Sequence, residues 1–462
     1  MTTKNYQFNL FKISLIAAIG GFLFGFDTGV IGGAQLYFTD YFNLSAAEQG
    51  WAVSSALYGA LVGAISAGLL TASIGRKNSL IISALLFLLS AWGSGIADSL
   101  TVLSIYRIIG GIGVGIASMS APMYIAEISP ADKRGKMVSL YQLAVVLGFF
   151  VVFLTTWLIG GGPESAVDIH EYNVQEGWRA MFHSELIPAF LFLVLLFFVP
   201  KSPRWLAMHG QMDKAQSALE QLMPADQASI ELKEISASFG EDQGIVWTKI
   251  FGPKFRYILI IGILLSVFQQ ITGINAILYY GAEIFSNALQ YGPEDALKQQ
   301  LWLGAVNLVF TVIAIFTIDK WGRKPLLLLG SFGMLLGLIA LGSLIFFEQL
   351  GVMAMTSMLL FCGAFSLSMG PVVWVMLSEI FPNKYRSAMM SIAVAAQWLF
   401  NAFVANSFPI INRSELNQDS FNGSLPYFIF AAMTLLAIIF VVKMIPETKN
   451  KSLEEIEKHW KK

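Results

Sequence analysis

Residues 75–97 read GRKNSLIISALLFLLSAWGSGIA, and residues 322–347 read GRKPLLLLGSFGMLLGLIALGSLIFF. Each opens on Gly-Arg-Lys and then runs for at least 20 residues without another charge. About 20 mostly apolar residues cross the roughly 30 Å of hydrocarbon in a bilayer. Each stretch therefore reads as a membrane span entered from a short basic turn. The same figure recurs 247 positions apart, from Gly75 to Gly322, so the chain is built from two copies of one unit.

Working outward with the same length rule gives twelve spans. They lie near 11–33, 51–71, 79–97, 102–123, 137–159 and 181–199, then near 257–282, 300–318, 325–347, 355–380, 387–409 and 425–445. Composition agrees: of 462 residues 56% are hydrophobic and 13% charged, where soluble domains carry roughly 25% charged. The 29 basic and 30 acidic residues crowd into short segments, and the net charge of −1 offers nothing to nucleic acid. Lys4 and Lys12 precede an apolar stretch longer than the core of a signal peptide, so the first span is expected to stay in the mature chain.

Other matches to the repeat follow. Glu127 and Arg134 recur as Glu379 and Arg386, 252 positions on, and Pro200-Lys-Ser-Pro-Arg204 is answered by Pro446-Glu-Thr-Lys449. Six spans per copy is an even number, so both copies enter the membrane alike and the repeats are parallel. This predicts an all-α membrane protein: a bundle over 1–199, an amphipathic helical linker over 200–255, a second bundle over 256–445 and a tail over 446–462. Helix-like spacing at Met212–Met223 and Ile230–Phe239 supports the linker. With the amino terminus in the cytoplasm, Lys and Arg fall almost wholly on the cytoplasmic side, the exceptions being Arg107, Arg179, Lys298 and Arg413. Such a bias places both termini in the cytoplasm.

Catalytic signatures are missing. The single cysteine, Cys362, lies in an apolar run, and His170, His183, His209 and His459 lack the spacing of metal ligands. Nothing resembles a nucleophile elbow, a phosphate loop or a zincin helix. No enzyme activity, cofactor or metal is expected.

Several ordered motifs remain: Gly20-Gly-Phe-Leu-Phe-Gly-Phe-Asp27-Thr-Gly in span one, Arg107-Ile-Ile-Gly-Gly-Ile-Gly-Val-Gly in span four, and Pro122-Met-Tyr-Ile-Ala-Glu127 with Arg134-Gly135 at the 4–5 loop. Span seven holds Gln269-Gln-Ile-Thr-Gly-Ile-Asn275, and span ten Gly370-Pro-Val-Val-Trp374 leading to Ser378-Glu-Ile-Phe-Pro382. Taken in order, these resemble the sugar porter family of the major facilitator superfamily, and within it the bacterial proton-coupled D-xylose symporters. The resemblance implies a carrier in the bacterial inner membrane that takes up a pentose or hexose together with a proton; a monomer is the default expectation. It assigns sugar contact to Gln142, Gln269, Gln270, Asn275, Asn307, Trp374 and Gln397. The facilitative glucose carriers of the family usually have a neutral residue in place of Asp27.

The chemistry of those residues suits such a task. An amide offers a donor and an acceptor without charge, matching a ring of sugar hydroxyls, and an aromatic face covers the apolar side of the ring. Phe24, Tyr279 and Trp398 are candidates for that cover, and Asn401 stands one turn beyond Gln397. A carboxyl whose Arg partner is sometimes near and sometimes displaced takes up and releases a proton. Asp27 and Arg107 are at matching depths and form such a pair, with Glu185 in span six as a helper. Arg76, Glu127, Arg134, Asp319, Arg323, Glu379 and Arg386 form a cytoplasmic gate of matched charges. The chain departs from the family there: Ala72 and Ser73 replace an acid and a base, and Lys201 replaces a Glu. A facilitative uniporter is the alternative, opposed by Asp27. A non-transporting sugar sensor is another, opposed by the short tail after Pro446.

Overall fold

In hydrocarbon a backbone amide finds no water, so each spanning segment must satisfy its own hydrogen bonds as a helix. The computed structural model describes residues 3–130, 133–163, 167–238, 250–288, 292–382 and 385–449, and among them there is no strand. Twelve helices are long and apolar enough to span: Tyr6–Tyr41, Ala46–Ile74, Arg76–Gly95, Leu100–Ile128, Arg134–Gly160 and Ile169–Phe197, then Phe255–Ser286, Asp295–Trp321, Arg323–Phe346, Val352–Ile380, Ala388–Asn412 and Leu425–Met444. We number them spans one to twelve. The protein is an integral, multi-pass membrane protein with two parallel six-helix repeats.

The repeat is physical as well as textual. Gly75 and Gly322 share one backbone conformation, with φ of 86° and 94° and ψ of 161° and 163°. A side chain is strained at such positive φ, so the tight turn from span two to three, and from eight to nine, needs glycine. Span two packs closely on span four because Gly59 and Gly63 face the carbonyls of Ile108 and Ile112, where a Cβ would collide.

Two spans of the second half are broken, and span six of the first half also turns, at Ser184–Glu185 between Trp178–His183 and Leu186–Phe197. Span seven stops at Ile271 and restarts at Ile274 across Gly273, whose φ is 92° and where a Cβ would strike the Phe430 ring. Span ten stops at Leu367 and restarts at Met369 across Ser368, at φ −129° and ψ −87°. Their counterparts, spans one and four, are uninterrupted.

Between the halves lie short helices Pro203–Met208, Met212–Glu220 and Ala225–Ser238, which bury Trp205, Leu206, Leu219 and Ala228 together. Trp205 Nε1 donates to Ala72 O at 2.9 Å, docking this linker beside Gly75. We call that side of the bundle the linker end. Residues 239–249 of the linker and 450–462 of the tail lie outside the described residues, including Phe239.

Some span ends differ from the expectation. Span one continues to Tyr41 and span six begins at Ile169, entering through a π-turn at Asn173–Gly177. Span four continues to Ile128, so Pro122–Glu127 are helical and not in a loop. The amide that Pro122 lacks breaks no helix here, because packed neighbours re-satisfy freed backbone groups in membrane helices.

Candidate functional site

Span one brings Asp27, span four Arg107 and span six Glu185 to one fully buried place. Arg107 Nη1 donates to Asp27 Oδ1 at 2.7 Å, and Nη2 to the Asp27 carbonyl at 3.0 Å. The Arg107 guanidinium also stands 5.5 Å from the centre of the Phe182 ring. Asp27 Oδ2, Arg107 Nε and both carboxylate oxygens of Glu185 have no regular hydrogen-bond partner. Asp27 and Arg107 are the charged neighbours of Glu185. Two carboxyls face one guanidinium, so the cluster is one negative charge in excess until it binds a proton. A buried charge without compensation is expensive, which makes this a place where proton occupancy matters.

The amides gather in the second half around the two helix breaks. Gln269 Nε2 donates to the carbonyls of Met369 and Gly370, at 2.8 and 3.2 Å, tying span seven to the break in span ten. Gln270 Nε2 donates to Gln269 Oε1 at 3.2 Å, and Asn275 Nδ2 to Gln270 Oε1 at 2.6 Å. Asn307 Oδ1 accepts from Ser366 at 2.8 Å. On span eleven, Gln397 Oε1, Trp398 Nε1 and Asn401 Oδ1 are buried and unpartnered. Phe24 reaches across from span one to lie 5.5 Å from Trp398, ring centre to ring centre. Gln142 and Trp374 are half-buried, Gln142 on span five and Trp374 on span ten. The result is a mixed amide and aromatic lining with acceptors and donors left over, the chemistry a polyhydroxylated ligand requires.

The halves meet through spans one and seven, two and eleven, and five and eight. Away from the linker, their contact is a buried polar network that the sequence reading missed. Gln35 Nε2 donates to Tyr279 O at 2.7 Å; Gln49 Nε2 donates to Gln35 Oε1 at 3.1 Å and to Glu283 Oε2 at 2.7 Å. Arg413 reaches the other Glu283 oxygen at 3.2 Å, and Asn406 Nδ2 donates to Ser54 Oγ at 3.2 Å. The bonds that cross between the halves join partners 234 or more positions apart, which leaves no local signal in sequence.

At the linker end the ion pairs stay within each half. Arg76 meets Glu127 at 2.6 Å; Arg323 meets Glu379 at 2.8 Å and Asp319 at 3.0 Å. Arg134 and Arg386 do not join them: Arg134 donates to the carbonyls of Ala126 and Ser129, Arg386 to that of Phe381, and Arg386 Nη2 is unpartnered. Burial pushes the Arg386 guanidinium below its ordinary pKa. Two hydroxyls unforeseen from sequence complete the pairs, Ser202 donating to Glu127 and Thr448 to Glu379, each at 2.5 Å. They occupy matched places in the Pro200–Arg204 and Pro446–Lys449 motifs, which was the available signal.

The chain is similar to known proteins over nearly its whole length. A family model described as sugar (and other) transporter matches residues 13–460. The D-xylose-proton symporter of Escherichia coli is 41% identical over 488 residues, covering 99% of this chain and 97% of that protein. The glucose facilitated diffusion protein of Zymomonas mobilis is 35% identical, covering 100% of this chain and 99% of that one. The inward-open structure of the E. coli xylose transporter superposes with a TM-score of 0.85 at 40% identity, covering 98% and 100%.

Proposed function

The chain belongs to the sugar (and other) transporter family, and from that premise we infer that it is a proton-coupled monosaccharide symporter working by alternating access. The observation that carries the reading is the buried Asp27–Arg107 pair with Glu185 beside it; span one also reaches the amides through Phe24 and Trp398. The substrate is a pentose or hexose, with D-xylose and D-glucose the leading candidates. Gln142, Gln269, Gln270, Asn275, Asn307, Trp374 and Gln397 contact the sugar, and Asp27, Arg107 and Glu185 carry the proton. The sugar leaves as it entered, so the protein is not an enzyme, and nothing in the cycle calls for a cofactor.

The working parts are the bundles 1–199 and 256–445, the linker 200–255 and the tail 446–462, in a single chain. The basic residues of the linker end support a cytoplasmic position for that end and for both termini, with the spans in a bacterial inner membrane. Arg76, Glu127, Arg134, Asp319, Arg323, Glu379 and Arg386 gate the cytoplasmic side. With the far end held by Gln35, Gln49 and Glu283, Arg134 and Arg386 await partners in the opposite state.

A facilitative uniporter is the second reading, favoured by the likeness to the Zymomonas protein. Uptake of labelled D-xylose and D-glucose into proteoliposomes, with and without an inward proton gradient, decides between them. Accumulation above the outside concentration establishes symport, and uptake that stops at equilibration overturns it.

A further inference from the structure

Tyr279 is held from three sides. Its carbonyl accepts from Gln35 of span one at 2.7 Å, and its hydroxyl accepts from Asn401 Nδ2 of span eleven at 3.2 Å. Tyr279 and Arg107 flank one narrow gap together with Thr28 and Ile31. Gln35 lies eight residues beyond Asp27 on an unbroken helix, about 12 Å along its axis. Tyr279 therefore stands between the carboxyl–guanidinium cluster of the first half and the amide lining of the second.

Asn401 completes the connection. Its Nδ2 is engaged by Tyr279, while its Oδ1 is buried and unpartnered, beside the equally unpartnered Gln397 Oε1 and Trp398 Nε1. An amide half-satisfied in a protein interior leaves hydrogen bonding unmade, and a ligand hydroxyl can supply the missing partner. Asparagine cannot turn its oxygen to a sugar without fixing where its nitrogen points. Engagement of Oδ1 is thus tied to the position of the Tyr279 hydroxyl, and Tyr279 shares a gap with Arg107.

We propose that Asn401 and Tyr279 are positioning residues that transmit sugar occupancy to the Arg107–Asp27 pair. When a sugar hydroxyl donates to Asn401 Oδ1, the amide and Tyr279 settle together, and the Tyr279 ring fixes which position Arg107 takes against Asp27. The charged and titratable groups facing this pair are Glu185 from span six and Tyr279 from span seven; span three presents Ser90, which flanks Gly110 opposite Asp27. This rests on the symport reading above.

Coupling between two sites is reciprocal: if sugar biases the proton site, protonation must bias sugar affinity by the same factor. Affinity for D-xylose or D-glucose, whichever the wild type accumulates, is measured from pH 5 to pH 9 in wild type, Tyr279→Phe and Asn401→Ala. Wild type is expected to change affinity several-fold, within the roughly 5- to 150-fold of typical allosteric coupling. Both variants are expected to bind at every pH with a pH response reduced to about 2-fold or less, and to equilibrate sugar without accumulating it. Variants that keep the wild-type pH response, or that lose binding altogether, overturn the proposal and leave the two residues as ordinary lining. A wild type that neither accumulates sugar nor responds to pH refutes the symport reading instead.

Discussion

Glu447 accepts a hydrogen bond from the backbone N–H of Arg323 at 3.1 Å, and its second oxygen takes that of Lys324 at 3.0 Å. A helix start leaves such N–H groups without partners, and a carboxylate there also meets the positive end of the helix dipole. The matching residue at the start of span three is Lys201. An ammonium cannot accept, and Lys201 instead stands 5.3 Å from the centre of the Trp205 ring. The two halves thus share a turn but close it unequally.

Lys201→Glu should supply the missing cap at Arg76 and Lys77. We expect stabilisation of about 1 kcal/mol, read as a raised melting temperature in detergent with sugar affinity unchanged. An unchanged or lowered melting temperature counts against the capping account.

Asp27→Asn keeps the shape of the buried pair and removes its charge. Sugar exchange should continue while accumulation against a gradient falls to parity, and addition of sugar should no longer alkalinise the medium outside proteoliposomes. Retained accumulation would falsify the role given to Asp27. Arg107→Ala is a harsher change: it strands a buried carboxylate, at a cost of about 3–5 kcal/mol, so reduced folded yield is expected.

Gln397→Leu and Gln269→Leu separate binding from bracing. Gln397 Oε1 has no protein partner to lose, so its variant should bind sugar about tenfold more weakly, roughly 1.4 kcal/mol, with little change in melting. Gln269 also ties span seven to the Met369 and Gly370 carbonyls, so its variant should lose affinity and about 1–3 kcal/mol of stability together. Calorimetric titration beside a thermal melt checks both, and equal behaviour of the two variants would count against the distinction.

Glu283→Ala should loosen the far end, because Gln49 and Arg413 both hold that carboxylate. A cysteine introduced as Ser54→Cys, at the contact with Asn406, should then react faster with a membrane-impermeant thiol reagent, by about 5-fold. The native Cys362 is buried, so background labelling is small. Unaltered reactivity would mean that the network does not hold the far end closed.

The spans were legible because hydropathy over 20 residues is a strong signal. The start of span six was not, since Ile169–Gly177 mixes His170, Glu171, Asn173 and Glu176 with few apolar residues. The Asp27–Arg107 pair followed from matched depth. The Gln35–Gln49–Glu283 network depends on how the halves lean together, which neither half encodes alone. The bonds made by Ser202 and Thr448 were hidden because hydroxyl residues at such places read as ordinary helix caps, as Ser202 also is.

The breaks in spans seven and ten, set against the unbroken spans one and four, divide labour between the copies of an ancestral unit. The first copy keeps spans one and four whole and buries Asp27, Arg107 and Glu185, the last of them at the turn in span six. The second copy sets Gln269, Gln270 and Asn275 against its joints. On the proposed function, substitutions among these amides, Tyr279 and Asn401 apart, alter the fit of the sugar away from the ion pair. A lineage can then explore new substrates without reinventing its energy source.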